Sequence, residues 1–210
     1  MLSTMAAGML RTCAIFFLTL LGSLPVGMIV CMLRESKIGI VRGITKVYIA
    51  IMRGTPLMLQ LLVWYFGPYY LFGLPIGGWR FPAIIVAFVM NYAAYFAEIY
   101  RSGIESMPRG QYEAAKVLGY SRAQTFFKII LPQVIKTILP AVTNEVITLV
   151  KDTSLAFALA YSEVFSIAKQ ISSSQTSFMP FLIAGVFYFI ANYAVAFGME
   201  AVEQMFKYYD

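Results

Sequence analysis

Apolar residues gather into five stretches of this chain, at roughly 13–33, 57–72, 81–100, 134–160 and 178–199. A helix needs about 20 predominantly apolar residues to cross a bilayer, and four of the stretches reach that length. The second is shorter. The stretch before it, 41–52, alternates apolar and polar residues at helical spacing, so it is expected to lie at the membrane interface and feed the short span. "GPYYLFGLPIGGW", after the second stretch, combines turn formers with the Tyr and Trp that favour the headgroup level. The pattern predicts an all-α membrane protein: one domain over 1–210, with about five transmembrane helices.

Composition agrees. Of 210 residues 60% are hydrophobic and 12% charged, and mean hydropathy is +0.75; soluble domains carry about 25% charged residues. The first stretch exceeds the core of a signal peptide and no small-residue cleavage site follows, so it is expected to be retained. The formal charge of +6 is not arranged as a basic patch with exposed aromatics, so nucleic acid is not an expected partner. Histidine is absent, which removes the commonest general base and metal ligand. No catalytic residue and no metal site are expected. Cys13 and Cys31 lie about 27 Å apart along one helix, too far to bridge. No glycine-rich nucleotide loop occurs.

Lys and Arg give the orientation. Arg34, Lys37, Arg42, Lys46 and Arg53 follow the first stretch; Arg101, Arg109, Lys116, Arg122, Lys128 and Lys136 follow the third. The other side has Arg11, Arg80 and Lys169. The positive-inside rule then places the N-terminus outside and the C-terminus in the cytoplasm.

Within the second basic connection, "QYEAAKVLGYSRAQTFFKIILPQ" (111–133) is polar where its surroundings are oily. Pro108 opens a short helix running to Leu118, and Gly119 stands where a positive φ ends it. Ser121 with Gln124 makes a capping-box pattern for a second helix. Pro132 is expected to mark the return into the membrane. Ala114 and Ala115 give a low surface that lets another backbone approach, with Glu113 beside them ready to pair with a partner cation.

The register Glu113-Ala114-Ala115, three residues, Gly119, nine residues, Ile129, one residue, Leu131-Pro132 resembles the cytoplasmic "EAA" loop of importer-type ABC permeases, here about 103–132. "MRGTPLMLQLLVWYFG" (52–67), "NYAAYFAEIYRSGI" (91–104) and "NEVITLVKDTSLA" (144–156) are similar to the permeases for polar amino acids. The resemblance implies five spans, in agreement with the count above, and a coupling helix between the third and fourth. That helix, with Arg109, Glu113, Ala114, Ala115, Leu118 and Gly119, would dock on a separate ATPase dimer. It also implies a second permease subunit, like or unlike, an extracytoplasmic amino-acid-binding protein, and a bacterial-type cell membrane. ATP and Mg would be bound by the ATPase and no cofactor by this chain. The expected function is the permease subunit of an ATP-driven importer of polar or cationic amino acids.

The fourth stretch carries Asn144, Glu145, Thr148, Lys151 and Asp152. An ionised residue at mid-bilayer costs about 2.5–3.5 kcal/mol, so such residues need partners or a wet cavity. Helical spacing puts Glu145, Thr148 and Asp152 on one stripe, with Asn144 and Lys151 beside it. Asp152-Thr153-Ser154 has N-cap chemistry, so the helix is expected to break there and hold a small polar solute. Glu145 and Thr148, faced by Glu163, are expected to line a cavity in which the carboxylates meet an ammonium group. Lys151 and Asp152 alternatively neutralise each other. Asn91, with Tyr92 and Tyr95, adds polar groups to the cavity or bridges helices. Glu98 and Arg101 are spaced for an intrahelical ion pair. An ion-gradient-driven transporter of small polar solutes is the alternative, though nothing in it requires the elbow; an intramembrane enzyme lacks a nucleophile with a base.

Overall fold

Apolar surface that runs around a whole helix must be covered by other helices or by lipid. The computed structural model, which describes residues 1–206, divides it between the two. The expected cytoplasmic tail end, 207–210, lies outside the described residues. Among the described residues nine α-helices follow one another: α1 Leu2–Arg34, α2 Gly39–Gly54, α3 Leu57–Phe72, α4 Arg80–Glu105, α5 Arg109–Val117, α6 Arg122–Thr125, α7 Leu131–Asp152, α8 Val164–Gln175 and α9 Met179–Met205. No strand occurs among the described residues. Helices α1, α4 and α9, and the run 122–159 that contains α7, are each long and apolar enough to span a membrane. The α2–α3 pair makes a fifth candidate, bent by 114°.

That bend has a local cause. Thr55 and Pro56 adopt extended backbone between the two helices, as the residue before a proline prefers. Two buried amides replace the hydrogen bonds the break removes. Gln60 Nε2 donates to the carbonyls of Met52 and Thr55 at 3.0 and 3.1 Å. Asn91 Nδ2, from α4, donates to Met52 O and to Gln60 Oε1, both at 3.0 Å. Amphipathic α2 buries Thr45 and Ile49 and exposes Ile40, Ile44, Val47 and Ile51, as a helix at the interface does.

Helix α4 is the centre. It packs on α1, α2, α3 and α7, and Ala83, Ala87, Ala93, Ala94 and Ala97 are essentially inaccessible. Small residues let membrane helices approach closely, where dispersion and weak polar contacts replace the hydrophobic drive available in water. At Gly27 of α1 a Cβ would lie 2.9 Å from Phe96 Cβ and 3.2 Å from Ala93 O, so only glycine lets the α1 and α4 backbones meet. Helix α9 contributes little to this core. Leu182, Val186, Phe189, Ile190, Tyr193 and Phe197 point outward, which requires lipid or another apolar partner.

Where the chain is expected to return into the membrane, the helix runs on through Pro132. Pro132 has no N–H for the carbonyl four residues back, and the chain absorbs this with a π-turn over Phe126–Ile130, in which Leu131 N–H reaches Phe126 O. One local expectation is corrected: Asp152 does not cap a restarted helix. Thr153 and Ser154 turn their hydroxyls back to the carbonyls of Val150 and Lys151, and α7 tightens into a 3-10 turn over Thr153–Leu159. The break comes at Ala160, at φ 51°.

Candidate functional site

The α7 stripe opens onto a cavity of about 390 Å³ lined by Asn91, Tyr92 and Tyr95 of α4, Glu145, Thr148 and Asp152 of α7, and the Thr55–Leu57 break. Both helices bring polar groups to it, because α4 and α7 pack together and their facing sides carry the spaced polar residues. Tyr92 donates its hydroxyl to Asp152 Oδ2 at 2.8 Å, and this hydrogen bond, rather than an ion pair with Lys151, holds the Asp152 carboxylate. Asn91 lines the cavity while its amide is committed to Met52 and Gln60. Asn144 and Lys151 lie exposed, off the cavity. Adjacent residues on a helix point about 100° apart, so both turn away from the stripe.

Glu163 does not face Glu145. It caps α8: its two carboxylate oxygens accept from Phe165 N and Ser166 N, each at 2.6 Å. Tyr188 of α9 donates to it at 2.8 Å, and the residue is fully buried. A carboxylate at a helix N-terminus completes the orphan N–H groups there and sits at the positive end of the helix dipole. The sequence contains this signal, an acidic residue just before a helix start.

A second cavity of about 410 Å³ adjoins the first and shares Tyr95 and Glu145 with it. Its walls include Arg53, Glu98, Arg101, Ser102, Thr137 and Ala141. The expected Glu98–Arg101 pair is there, bidentate, with Nη2 to Oε2 at 2.7 Å. Glu105 extends it at 2.5 Å and Arg34 of α1 at 3.9 Å, so four charges tie the ends of α1 and α4. Sequence spacing could reveal the members three and four apart but not Arg34. Arg53 sits over the Tyr95 ring, 5.2 Å from its centroid. This cation–π contact brings a guanidinium to the mouth of the acidic cavity.

The elbow forms as its chemistry requires. Pro108 immediately precedes α5, Gly119 has φ 80°, and Ser121 and Gln124 exchange both hydrogen bonds of the capping box. Arg109, Glu113, Ala114, Leu118 and Gly119 are exposed, and Val117 and Leu118 are 88% and 73% accessible. Ala115 differs. It is 1% accessible and faces back toward the second half of the elbow, where its carbonyl accepts from Tyr120 N. One exposed face is therefore Glu113, Ala114, Val117 and Leu118, an apolar patch with one carboxylate, beside the exposed cations Arg109 and Lys116. Among the described residues, no three His, Cys, Asp or Glu side chains converge as a metal site.

Comparison with known proteins bears on this arrangement. Residues 11–208 match the family described as "Binding-protein-dependent transport system inner membrane component". The probable amino-acid ABC transporter permease YckA of Bacillus subtilis is 35% identical over 94% of this chain and 87% of its own length. The arginine transport system permease ArtQ of the same organism is 38% identical over 78% of this chain and 74% of its own. Among solved structures, an amino acid ABC transporter crystallised with histidines superposes at a TM-score of 0.86, with 31% identity over 97% of this chain and 94% of that one. The inward-facing MetNI methionine transporter, at 19% identity over 98% and 95% and a TM-score of 0.74, shares the fold. The chain thus belongs to the binding-protein-dependent transport system inner membrane components, as a multi-pass permease subunit of importer-type ABC transporters.

Proposed function

We propose that this permease carries polar or cationic amino acids inward through the cavity between α4 and α7. The observation that supports this is the pair of carboxylates, Glu145 and Asp152, on one wall of a cavity within the span. Each would cost about 2.5–3.5 kcal/mol in lipid, and a passing ammonium or guanidinium offsets that cost where a hydrocarbon side chain would not. Relatives named for arginine and L-cystine transport agree with such a substrate class. The elbow faces the cytoplasm in this reading, with the N-terminus outside, and α5 takes the force of an ATPase dimer that holds ATP and Mg. A second permease subunit completes the pathway, and an extracytoplasmic binding protein delivers the solute. ATP and binding protein each bias a two-state rocking of the helices, and no bond chemistry occurs on this chain.

The experiment is uptake of labelled arginine, glutamine and cystine into vesicles holding the complete complex, with Glu145→Gln alongside. ATP-dependent uptake of at least one is expected, and Glu145→Gln should impair it without releasing the ATPase. Uptake that continues with a catalytically dead ATPase, or that ignores Glu145→Gln, overturns the reading.

A further inference from the structure

A third cavity, about 610 Å³, lies at the elbow. Met107, Pro108 and Gln111 line it at the start of α5, and Lys128, Gln133 and Lys136, among others, line it on the side of α7. It shares Thr137 with the second cavity, which shares Tyr95 and Glu145 with the first. The three therefore adjoin one another along shared lining residues. Their common wall is one face of α7: Gln133, Thr137, Ala141, Glu145, Thr148 and Asp152. Steps of four, four, four, three and four are the spacing at which side chains stack on one side of a helix. Nineteen rises of 1.5 Å from Gln133 to Asp152 make the stripe about 28 Å long, close to the hydrocarbon thickness of a bilayer.

We infer that the inner exit of the solute route is this elbow cavity, so that the helix receiving the ATPase's force is also one wall of the exit. This rests on the transport reading above and adds where the route ends and how it is gated. The chemistry changes along it in a useful order. Carboxylates at Glu145 and Asp152 suit the ammonium end of an amino acid. Ala141, the smallest side chain on the stripe, leaves passage between Glu145 and Thr137. Lys128 at the elbow suits the α-carboxylate as it leaves. One wall is α5 with its approach and the other is α7 with its π-turn, so rocking α5 against α7 widens or shuts the cavity. No separate gating element is needed.

Two variants test this in the assembled transporter, with Cys13→Ala and Cys31→Ala as background. In the first, Gln111→Cys and Gln133→Cys are joined across the elbow cavity by a flexible, reducible bis-thiol reagent. Uptake should be lost on bridging and return on reduction, whereas a bridge that leaves uptake at its full rate overturns the inference. Uptake by the unbridged pair tests the transport reading separately. In the second, Ala141→Phe fills the passage and should lower uptake by about tenfold, equivalent to one decade in rate. Uptake by Ala141→Phe at the unsubstituted rate would show that solute passes elsewhere.

Discussion

The hydroxyl of Tyr92 lies 2.8 Å from Asp152 Oδ2 and ties the middle of α4 to the last residue of α7. Sixty residues separate the two in sequence. The bond fixes a carboxylate that would otherwise be free to turn, and it does so at the point where α7 tightens into its 3-10 turn. Tyr92→Phe keeps the ring packing against Phe88 and Phe96 and removes only the donor. A hydrogen bond to a charged group is worth about 1.5–3 kcal/mol. The purified permease should melt several degrees lower, and a melting curve unchanged from the parent would show that water replaces the hydroxyl without loss.

Asn91 and Gln60 hold the break between α2 and α3 by supplying donors to carbonyls the helix leaves open. Gln60→Leu keeps the volume and leaves the Asn91 and Thr55 groups without that partner. Unsatisfied buried polar groups cost about 1–3 kcal/mol each. Protease access at 54–57 should rise in the variant relative to the parent; equal cleavage rates would mean that the proline alone sets the bend.

Glu163 supports α8 and α9 and is not among the residues lining the cavity between α4 and α7. Glu163→Ala strips the acceptor from two backbone N–H groups and the Tyr188 hydroxyl, and N-cap loss alone costs about 0.5–2 kcal/mol. Less folded protein is expected. In what does fold, the KM for the transported amino acid should match the parent. A raised KM would return Glu163 to the pathway.

Close approach at Gly27 leaves no room for a side chain. Gly27→Val would force α1 away from α4, and overpacking of this kind costs about 1–3 kcal/mol. Expression in the membrane should fall with the larger residue, and Gly185→Val, at a site with open space, should be tolerated. Equal expression of the two would count against the packing described.

Val117 and Leu118 present apolar surface on the elbow that the rest of the described residues leave uncovered. Val117→Glu changes nothing inside the permease, and surface changes usually stay within about 0.5 kcal/mol. Copurification of the ATPase should nevertheless be lost, because a carboxylate would be buried at the junction. An intact complex would place the ATPase contact on another face.

The spans and the elbow were legible in the sequence because each depends on near neighbours. A run of apolar residues makes a span whatever it packs against, and Pro108, Gly119 and the Ser121–Gln124 exchange act across one to three residues. The stripe Glu145–Thr148–Asp152 is equally local, since helix geometry alone puts it on one face. What tertiary structure decided is which group each polar residue meets. Glu163 finds Tyr188 on another helix, Asp152 finds Tyr92 rather than its neighbour Lys151, and Ala115 turns inward while Ala114 stays out. In water, the apolar face of a helix would have announced its partner side. In a membrane most faces are apolar, so periodicity sets no direction, and helix packing fixes the polar pairings that local sequence leaves open.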